Sequence, residues 1–372
     1  MVKIVEVKTK KEQREFINFP LKLYAKNQYF VPYLYSDELK MFKSDYTYYD
    51  QAESVFYLAY KDNKVVGRIQ GILQRVANEK WNQKRVRFNR IDFIDDEEVS
   101  KALFEAVENW AREKKMEEVV GPLGFSDLDR EGLLVEGFDQ KQTFEEQYNY
   151  PYYQRHIEKL GYVKEVGWTE RKIKAPKEID PRLEKISKRM MDKYKLSFAK
   201  CKSTSEFIKK YGDAFFEILD KTYDNIYGTV PFTDRMKKMM IANFKLIIDL
   251  KYVAVIIDET GKVVCFGICF PSIADAVRKC KGHFTPLGLI RLLYAIKRPR
   301  VIDMGLIGVL PEYEMKGIAS AIISEVMKML SNGRIEYAET NLNLEDNYSI
   351  QNQWKSFDNE ITKRRISYKK SI

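Results

Sequence analysis

The stretch IGVLPEYEMKGIAS, Ile307–Ser320, decides the reading of the fold. An apolar run ends at Pro311, a short loop carries Lys316 and Gly317, and a helix-period apolar pattern follows. A strand, a glycine loop and a helix start in that order present unpaired N–H groups and partial positive charge to an anion. Gly317 lets the backbone approach a phosphate with no Cβ in the way. Lys316 adds a full charge and Ser320 a hydroxyl. Glu312 and Glu314 oppose them, since a carboxylate beside a pyrophosphate costs on the order of 1 kcal/mol at surface dielectric. The loop therefore reads either as a phosphate cradle made mostly of backbone or as the plain start of a packed helix.

Outward from this stretch, elements recur in one order on both sides of KIKAPKEIDPRLEK (Lys172–Lys185). Pro176 and Pro181 there resist helix and sheet interiors, which marks a linker. Before it, VKIVEV alternates as a strand, and KTKKEQREFINFPLKLY reads as a helix interrupted near Pro20. VFYLAY, KDNK and VVGRIQGIL read as a hairpin, and RVRFNRIDF as a strand. A helix follows with apolar Val99, Leu103, Val107 and Trp110, then EEVVGPLGF, YYQRHIEKLG and YVKEVGWTERKI as strand, helix and strand. After the linker come the strand KLSFAK, two helices, the hairpin around ETGK, the extra helix GLIRLLYAI and the strand VIDMGLIGV. The helix from Gly317, the strand IEYAET, the helix SIQNQWKSF and the strand TKRRISYKK close the chain. This interleaving predicts a mixed α/β fold with two fused domains, 1–174 and 182–372, each a mixed twisted sheet flanked by helices.

The bulk composition narrows the function classes. A chain of 372 residues suggests about two domains at roughly 150 residues each. No apolar run reaches the ~18 residues of a membrane span, and the N-terminus lacks a secretory apolar core, so a cytoplasmic protein is expected. Cys201, Cys265, Cys269 and Cys280 have neither zinc spacing nor histidine partners, and His156 and His283 are the only histidines. That argues for free thiols and against a metal site or histidine-driven nucleophilic catalysis. The net charge of +10 attracts anions such as phosphorylated cofactors, lipid surfaces and nucleic acid. Its even spread along the chain disfavours nucleic acid. Oligomeric state is not set by the sequence.

The Pro–loop–Lys-Gly–helix after the fourth strand of the second half resembles the GNAT acyltransferase superfamily, whose fingerprint there is Gln/Arg-x-x-Gly-x-Gly/Ala. The matching residues are Glu314, Met315, Lys316, Gly317, Ile318 and Ala319, with Glu and Met as departures. A narrower resemblance covers nearly the whole chain. GPLGFSDLDREGLLVEGFD (Gly121–Asp139), YNYPYYQRHIEKLGY (Tyr148–Tyr162) and the opening EFINFPLKLYAKNQYFVPYLYSDELKMF are similar to the YghO-type, bacterial-ceramide-synthase-like branch of acyltransferases. The resemblance implies transfer of an acyl group from acetyl-CoA or a longer acyl-CoA to a small-molecule or lipid amine. It implies cofactor contacts along Ile307, Gly308, Val309 and Leu310, through Met315–Ser320, and at Asn347. The corresponding helix of the first half starts IDDEEVSKAL; its carboxylates satisfy the helix dipole themselves and leave no place for a pyrophosphate. The first domain is therefore expected to lack CoA binding.

Amide formation from a thioester needs a base for the amine and polarisation of the carbonyl oxygen. Asp303 lies eleven residues before Glu314, the offset of the strand carboxylate base in histone-type members of the superfamily. It reads equally as a strand-end aspartate facing solvent or paired with Arg300. The family's acid tyrosine follows Asn-x-x-Ala-x-x-x-Tyr; here the match is Asn347, Ile350 and Trp354, so Tyr348 or a water is left to serve. Asn347 has a plain alternative as a helix cap. Glu339, Asn341 and Asn343 alternate at a strand end, with Glu339 and Asn341 candidates for the acceptor site. The aromatic stretch Tyr24–Glu53 is open to three readings: an acyl or acceptor pocket, core packing, or a lipid-contacting surface for peripheral membrane contact. TKRRISYKK reads as a basic edge strand. A catalytically inactive ligand-binding or adaptor protein is the alternative to the enzyme.

Overall fold

The computed structural model describes residues 1–177, 181–314 and 316–372. Contacts divide it into two compact units, one of residues 1–169, 274–290 and 362–372, the other of residues 170–273 and 291–361. These are not consecutive halves of the chain: the closing stretch lies in the first unit, and residues 170–174 lie in the second.

The first unit begins with β1 (Lys3–Glu6), α1 (Lys10–Leu23), α2 (Tyr35–Lys40), β2 (Ala52–Lys61), β3 (Lys64–Gln74) and α3 (Arg75–Lys80). It continues with β4 (Arg85–Phe93), α4 (Glu97–Glu113), β5 (Glu118–Gly121), β6 (Leu133–Glu136), α5 (Tyr152–Lys159) and the start of β7 (Val163–Lys174). Local chemistry explains several of these. Thr9 and Glu12 form a reciprocal capping box on α1. Asp62 and Asn63, at φ 51° and 59°, make the two-residue turn between β2 and β3. α1 runs through Pro20 without interruption. A proline there cannot donate to the Phe16 carbonyl; the Arg68 guanidinium does so instead, at 3.0 Å. The predicted stripe Val99, Leu103, Val107 and Trp110 is the buried face of α4.

The second unit follows with α6 (Pro181–Lys193), β8 (Ser197–Phe198), α7 (Thr204–Thr222), α8 (Asp234–Ile247), β9 (Val253–Ile257) and β10 (Val263–Pro271). Next along the chain are α9 (Ala274–Lys279) and α10 (Pro286–Lys297). Then come β11 (Val301–Val309), α11 (Ala319–Leu330), β12 (Tyr337–Glu339), β13 (Asn343–Leu344), α12 (Tyr348–Gln353) and β14 (Asp358–Ser371). α6 occupies the C-terminal part of the sequence expected to be a linker: Pro181 is its first residue, where a proline's missing N–H costs nothing. Residues 178–180 of that stretch lie outside the described residues.

In the first unit the sheet runs β1-β2-β3-β4-β5-β14, antiparallel except for β4 with β5, and β6 also pairs β14. This corrects the reading of TKRRISYKK as an edge strand. Tyr368–Ser371 pair with Glu118–Gly121, and Arg364–Ile366 pair with β6. Its charges are neutralised internally: Arg365, 1% exposed, lies 3.3 Å from Glu146, and Lys370 lies 2.8 Å from Glu108. The motif around Gly121–Asp139 and the aromatic opening also build this interior. Asp129 accepts from the Phe125 N–H at 2.7 Å and Arg130 donates to the Val31 carbonyl at 2.9 Å. Tyr24 stacks on Phe30 and Tyr48 on Phe125, so these aromatics of the Tyr24–Glu53 stretch pack in the core.

The second unit's sheet runs β8-β9-β10-β11-β12 and ends on the 170–174 part of β7. Of these pairs, β11 with β12 is parallel and the others are antiparallel. One face packs Ile302, Ala338 and Ile173 against Val326, Met327 and Leu330 of α11. On the other, Phe215 of α7 lies against Phe266 at a ring separation of 4.6 Å. α11 approaches β10 at Gly267, where a Cβ would fall 2.5 Å from Ile322.

Candidate functional site

The site is built where β11 and β12 part. Val301, Ile302 and Asp303 pair with Tyr337, Ala338 and Glu339. Beyond Asp303, β11 continues to Val309 in register with β10 alone, because β12 ends at Glu339. Between Met304 and Ile307, β11 also carries one residue more than β10 carries between Gly267 and Cys269, a β-bulge at Gly305–Leu306. A bulge takes a residue out of the ladder and re-aims the strand, a device found next to active sites. Gly305 has no room for a side chain there; a Cβ would meet the Ile268 carbonyl and the Phe270 ring at 2.6 Å.

Two buried carboxylates stand at the fork. Asp303 and Glu339 are register partners across the parallel pair, 8% and 5% exposed. Arg300 is not the partner of Asp303, since it is held by Glu336. Asn341 reaches back across the opening and donates to the Gly305 carbonyl at 2.9 Å. Asn343 donates to the Asn341 side-chain oxygen at 3.5 Å and accepts from the Trp354 indole at 2.8 Å. Trp354, where the resemblance sets a tyrosine, is therefore a packed core residue. Tyr348 is 73% exposed. Asn347 caps α12, accepting from the Ile350 N–H at 3.2 Å.

Two residues here are absent from the sequence reading. The Tyr223 hydroxyl, at the end of α7, donates to the Ile307 carbonyl at 3.1 Å and so places a phenol on the bulged strand. Arg171 fastens the far wall, donating to Asn359 at 2.6 Å and Gln351 at 3.0 Å. Neither has a local signal; all three contacts span more than eighty residues of sequence.

Beyond β11, Gly317 takes φ +74° and opens α11. A Cβ at Gly317 would meet only Met190, at 3.7 Å, so the space over this turn is open. Among the described residues, no side chain caps the start of α11. Lys316 lies over the rings of Tyr313 and Tyr194, 4.7 and 5.0 Å from their centroids. Glu312 is turned to Lys262 at 3.2 Å, and Glu314 is exposed. The Ser320 hydroxyl donates to the Gly317 carbonyl at 2.6 Å, so it braces the turn. Gly308 is buried, Leu310 and Ile318 are core residues, and Ile307, Val309, Ala319 and Lys316 are half-buried. Met315 lies outside the described residues.

α4 of the first unit is the contrast. Asp96 caps it through the Glu98 N–H at 2.9 Å and takes Lys61 at 2.6 Å, while Glu97 takes Lys159 at 2.5 Å. Its start is already filled with carboxylates and their counter-ions.

No protein-family model matches the chain. Its fold is that of tandem GNAT proteins: it superposes on the tandem GNAT protein of the clavulanic acid biosynthesis pathway with a TM-score of 0.55, over 100% of this chain and 98% of that one, at 9% identity. In sequence it is 27% identical to protein YghO of Escherichia coli (strain K12), covering 98% of this chain and 94% of that protein. It is 26% identical to the bacterial ceramide synthase of Caulobacter vibrioides (strain NA1000 / CB15N), covering 79% and 76%. These similarities, in sequence and in fold, point together to a tandem GNAT-like branch.

Proposed function

We propose that the second unit is an acyl-CoA-dependent N-acyltransferase that works by direct attack of an amine within a ternary complex. The observation that carries this reading is the fork after Asp303 and Glu339, with its bulge at Gly305–Leu306 and the uncapped helix start beyond Gly317. The residues fit an acyl-CoA: the turn at Gly317 is open where a phosphate would approach, and the two loop carboxylates point to a lysine and to solvent. Acyl-CoA supplies an activated thioester. The backbone at the start of α11 and Lys316 hold its phosphates. The bulged backbone of β11 offers a hydrogen bond to the polarised oxygen. Asp303 takes the proton of the attacking amine, with Glu339 beside it and Asn341 orienting the strand; the C–S bond of the thioester breaks as the C–N bond forms, and the departing CoA thiolate takes up that proton. Tyr223, whose hydroxyl is bonded to the Ile307 carbonyl, is a phenol held on the strand, whereas Tyr348 is exposed. The acceptor is a small-molecule or lipid amine; the similarity to a bacterial ceramide synthase favours a long-chain lipid amine.

The test is amide formation, followed by mass spectrometry with acyl-CoA and a panel of short- and long-chain amines. Amide product lost in Asp303→Asn supports the reading. Acyl-CoA binding with no product from any amine supports the non-enzymatic alternative, which the tryptophan at position 354 favours.

A further inference from the structure

The surface of α10 runs against the usual pattern of a helix on a folded protein. Its buried stripe is narrow: Gly288, Leu292 and Ile296, each four residues from the next. The face turned outward is apolar. Leu287, Leu289, Ile290, Leu293 and Tyr294 are 47–63% exposed, and Phe284 just before the helix is 49% exposed. At 100° per residue these outward side chains span about 160° of the helix circumference, with Arg291 and Arg298 along one edge. Half of the large hydrophobic residues that are exposed in the described structure come from these eleven positions. Contiguous apolar surface of that kind marks an interaction site.

The charge around it identifies the partner. Between Ala274 and Arg300 the chain carries seven Lys and Arg residues and one acidic residue, Asp275. Lys279, Lys281, Arg291, Lys297 and Arg298 are exposed about the apolar face. A helix with large outward apolar side chains rimmed by cations has the composition of one that lies in the headgroup region of an anionic bilayer. A Tyr on such a face suits the water–hydrocarbon boundary. No described helix is long and apolar enough to cross a membrane, so the contact is one of lying on the surface.

We propose that α10 is an interfacial anchor that docks the protein on an anionic lipid surface. Leu289, Ile290, Leu293 and Tyr294 enter the acyl boundary, while Arg291, Lys297 and Arg298 meet lipid phosphates. The proposal is independent of the acyltransferase reading, since it rests on the exposed helix and not on the fork. If both hold, a lipid amine reaches the acceptor site from the bilayer rather than from solution.

The experiment is flotation of the full chain with phosphatidylcholine vesicles, alone or with roughly 30% phosphatidylglycerol. Two variants accompany it, Leu289→Ser/Leu293→Ser and Arg291→Glu/Arg298→Glu, with thermal melts to confirm folding. These positions are exposed, so the melts are expected to stay unchanged. The expected result is partition into the anionic vesicles about tenfold or more above the zwitterionic ones, falling about tenfold in each variant. Wild type that fails to float with anionic vesicles overturns the proposal, as does a Leu289→Ser/Leu293→Ser variant that floats as well as wild type. Light scattering adds a further outcome: a wild-type dimer that the leucine variant dissociates means that a second copy covers the patch, which also overturns it.

Discussion

Asn341 donates to the Gly305 carbonyl at 2.9 Å across the opening where β12 has left β11. A side chain thus takes over a strand carbonyl at the bulge, and the two walls of the fork are tied by a contact that leaves the adjacent backbone irregular. Asn341→Ala removes that donor from a half-buried acceptor. We expect it to cost about 1 kcal/mol of stability by chemical denaturation. Asn341→Asp, which keeps the size but not the donor, should lose as much.

Asp303 is expected to be needed for turnover and not for binding. Asp303→Asn keeps volume and fold while removing the base. Transfer should fall by about 100-fold or more, with acyl-CoA affinity changed by less than about twofold. Single-turnover rates alongside calorimetry separate the two. Equal loss of binding and rate would place Asp303 in the architecture of the fork.

The glycines of β11 and its loop should respond differently to alanine. At Gly308 a Cβ would fall 2.6 Å from the Phe266 ring and 2.7 Å from Ile218, so Gly308→Ala overpacks the face under α7. Overpacking of this kind costs about 1–3 kcal/mol. Gly317→Ala meets only Met190 at 3.7 Å and carries the cost of its φ of +74°, about 1 kcal/mol. Thermal melts of the two variants should rank in that order.

Asp96 offers a test of the first unit's filled helix start. Its carboxyl is held below the usual range first by the Lys61 ammonium and then by the Glu98 N–H. A depressed carboxylate contributes stability that is fully present above its unfolded value, about pH 4, and that is lost as the pH falls through its folded value. Asp96→Ala should cost about 1 kcal/mol at neutral pH. The difference between wild type and variant should shrink as the pH is lowered below about 4.

Thiol reactivity should divide the cysteines. Burial pushes Cys265 and Cys269 up to about 12, and for Cys269 the nearby Asp303 adds to the rise. Neither should alkylate in the native protein at pH 8. Intact-mass analysis should find adducts only on the half-buried Cys201 and Cys280 until denaturant is added.

Much of the fold was legible because its signals are local. The two-residue turn at Asp62–Asn63, the stripe on α4 and the strand–loop–helix at Ile307–Ser320 each lie within a window that periodicity can read. What was missed depends on distant partners. Pro20 seemed to interrupt a helix because nothing nearby shows that Arg68 takes the Phe16 carbonyl. TKRRISYKK looked like a charged edge because Glu146, Glu165 and Glu108, the carboxylates that neutralise Arg365, Lys369 and Lys370, stand more than two hundred residues away. At the candidate site the loop and strand were readable from residue type. The parting of β11 from β12, and the placement of Tyr223 and Arg171, arise from strand ends and contacts that a linear pattern does not encode. Ser320 and Asn347 were legible as polar groups, but helix geometry commits both to local bonds.

The most direct test of the central claim is calorimetric titration with CoA, acetyl-CoA and palmitoyl-CoA of the wild type, Gly317→Ala and Gly317→Glu. The alanine and glutamate variants share the backbone strain at position 317, and only the glutamate sets a carboxylate where the phosphates would lie. Micromolar binding kept within about tenfold by the alanine and abolished by the glutamate is the expected result. Failure of the folded wild type to bind any of the three, or binding indifferent to the glutamate, would contradict an acyl-CoA site at the start of α11.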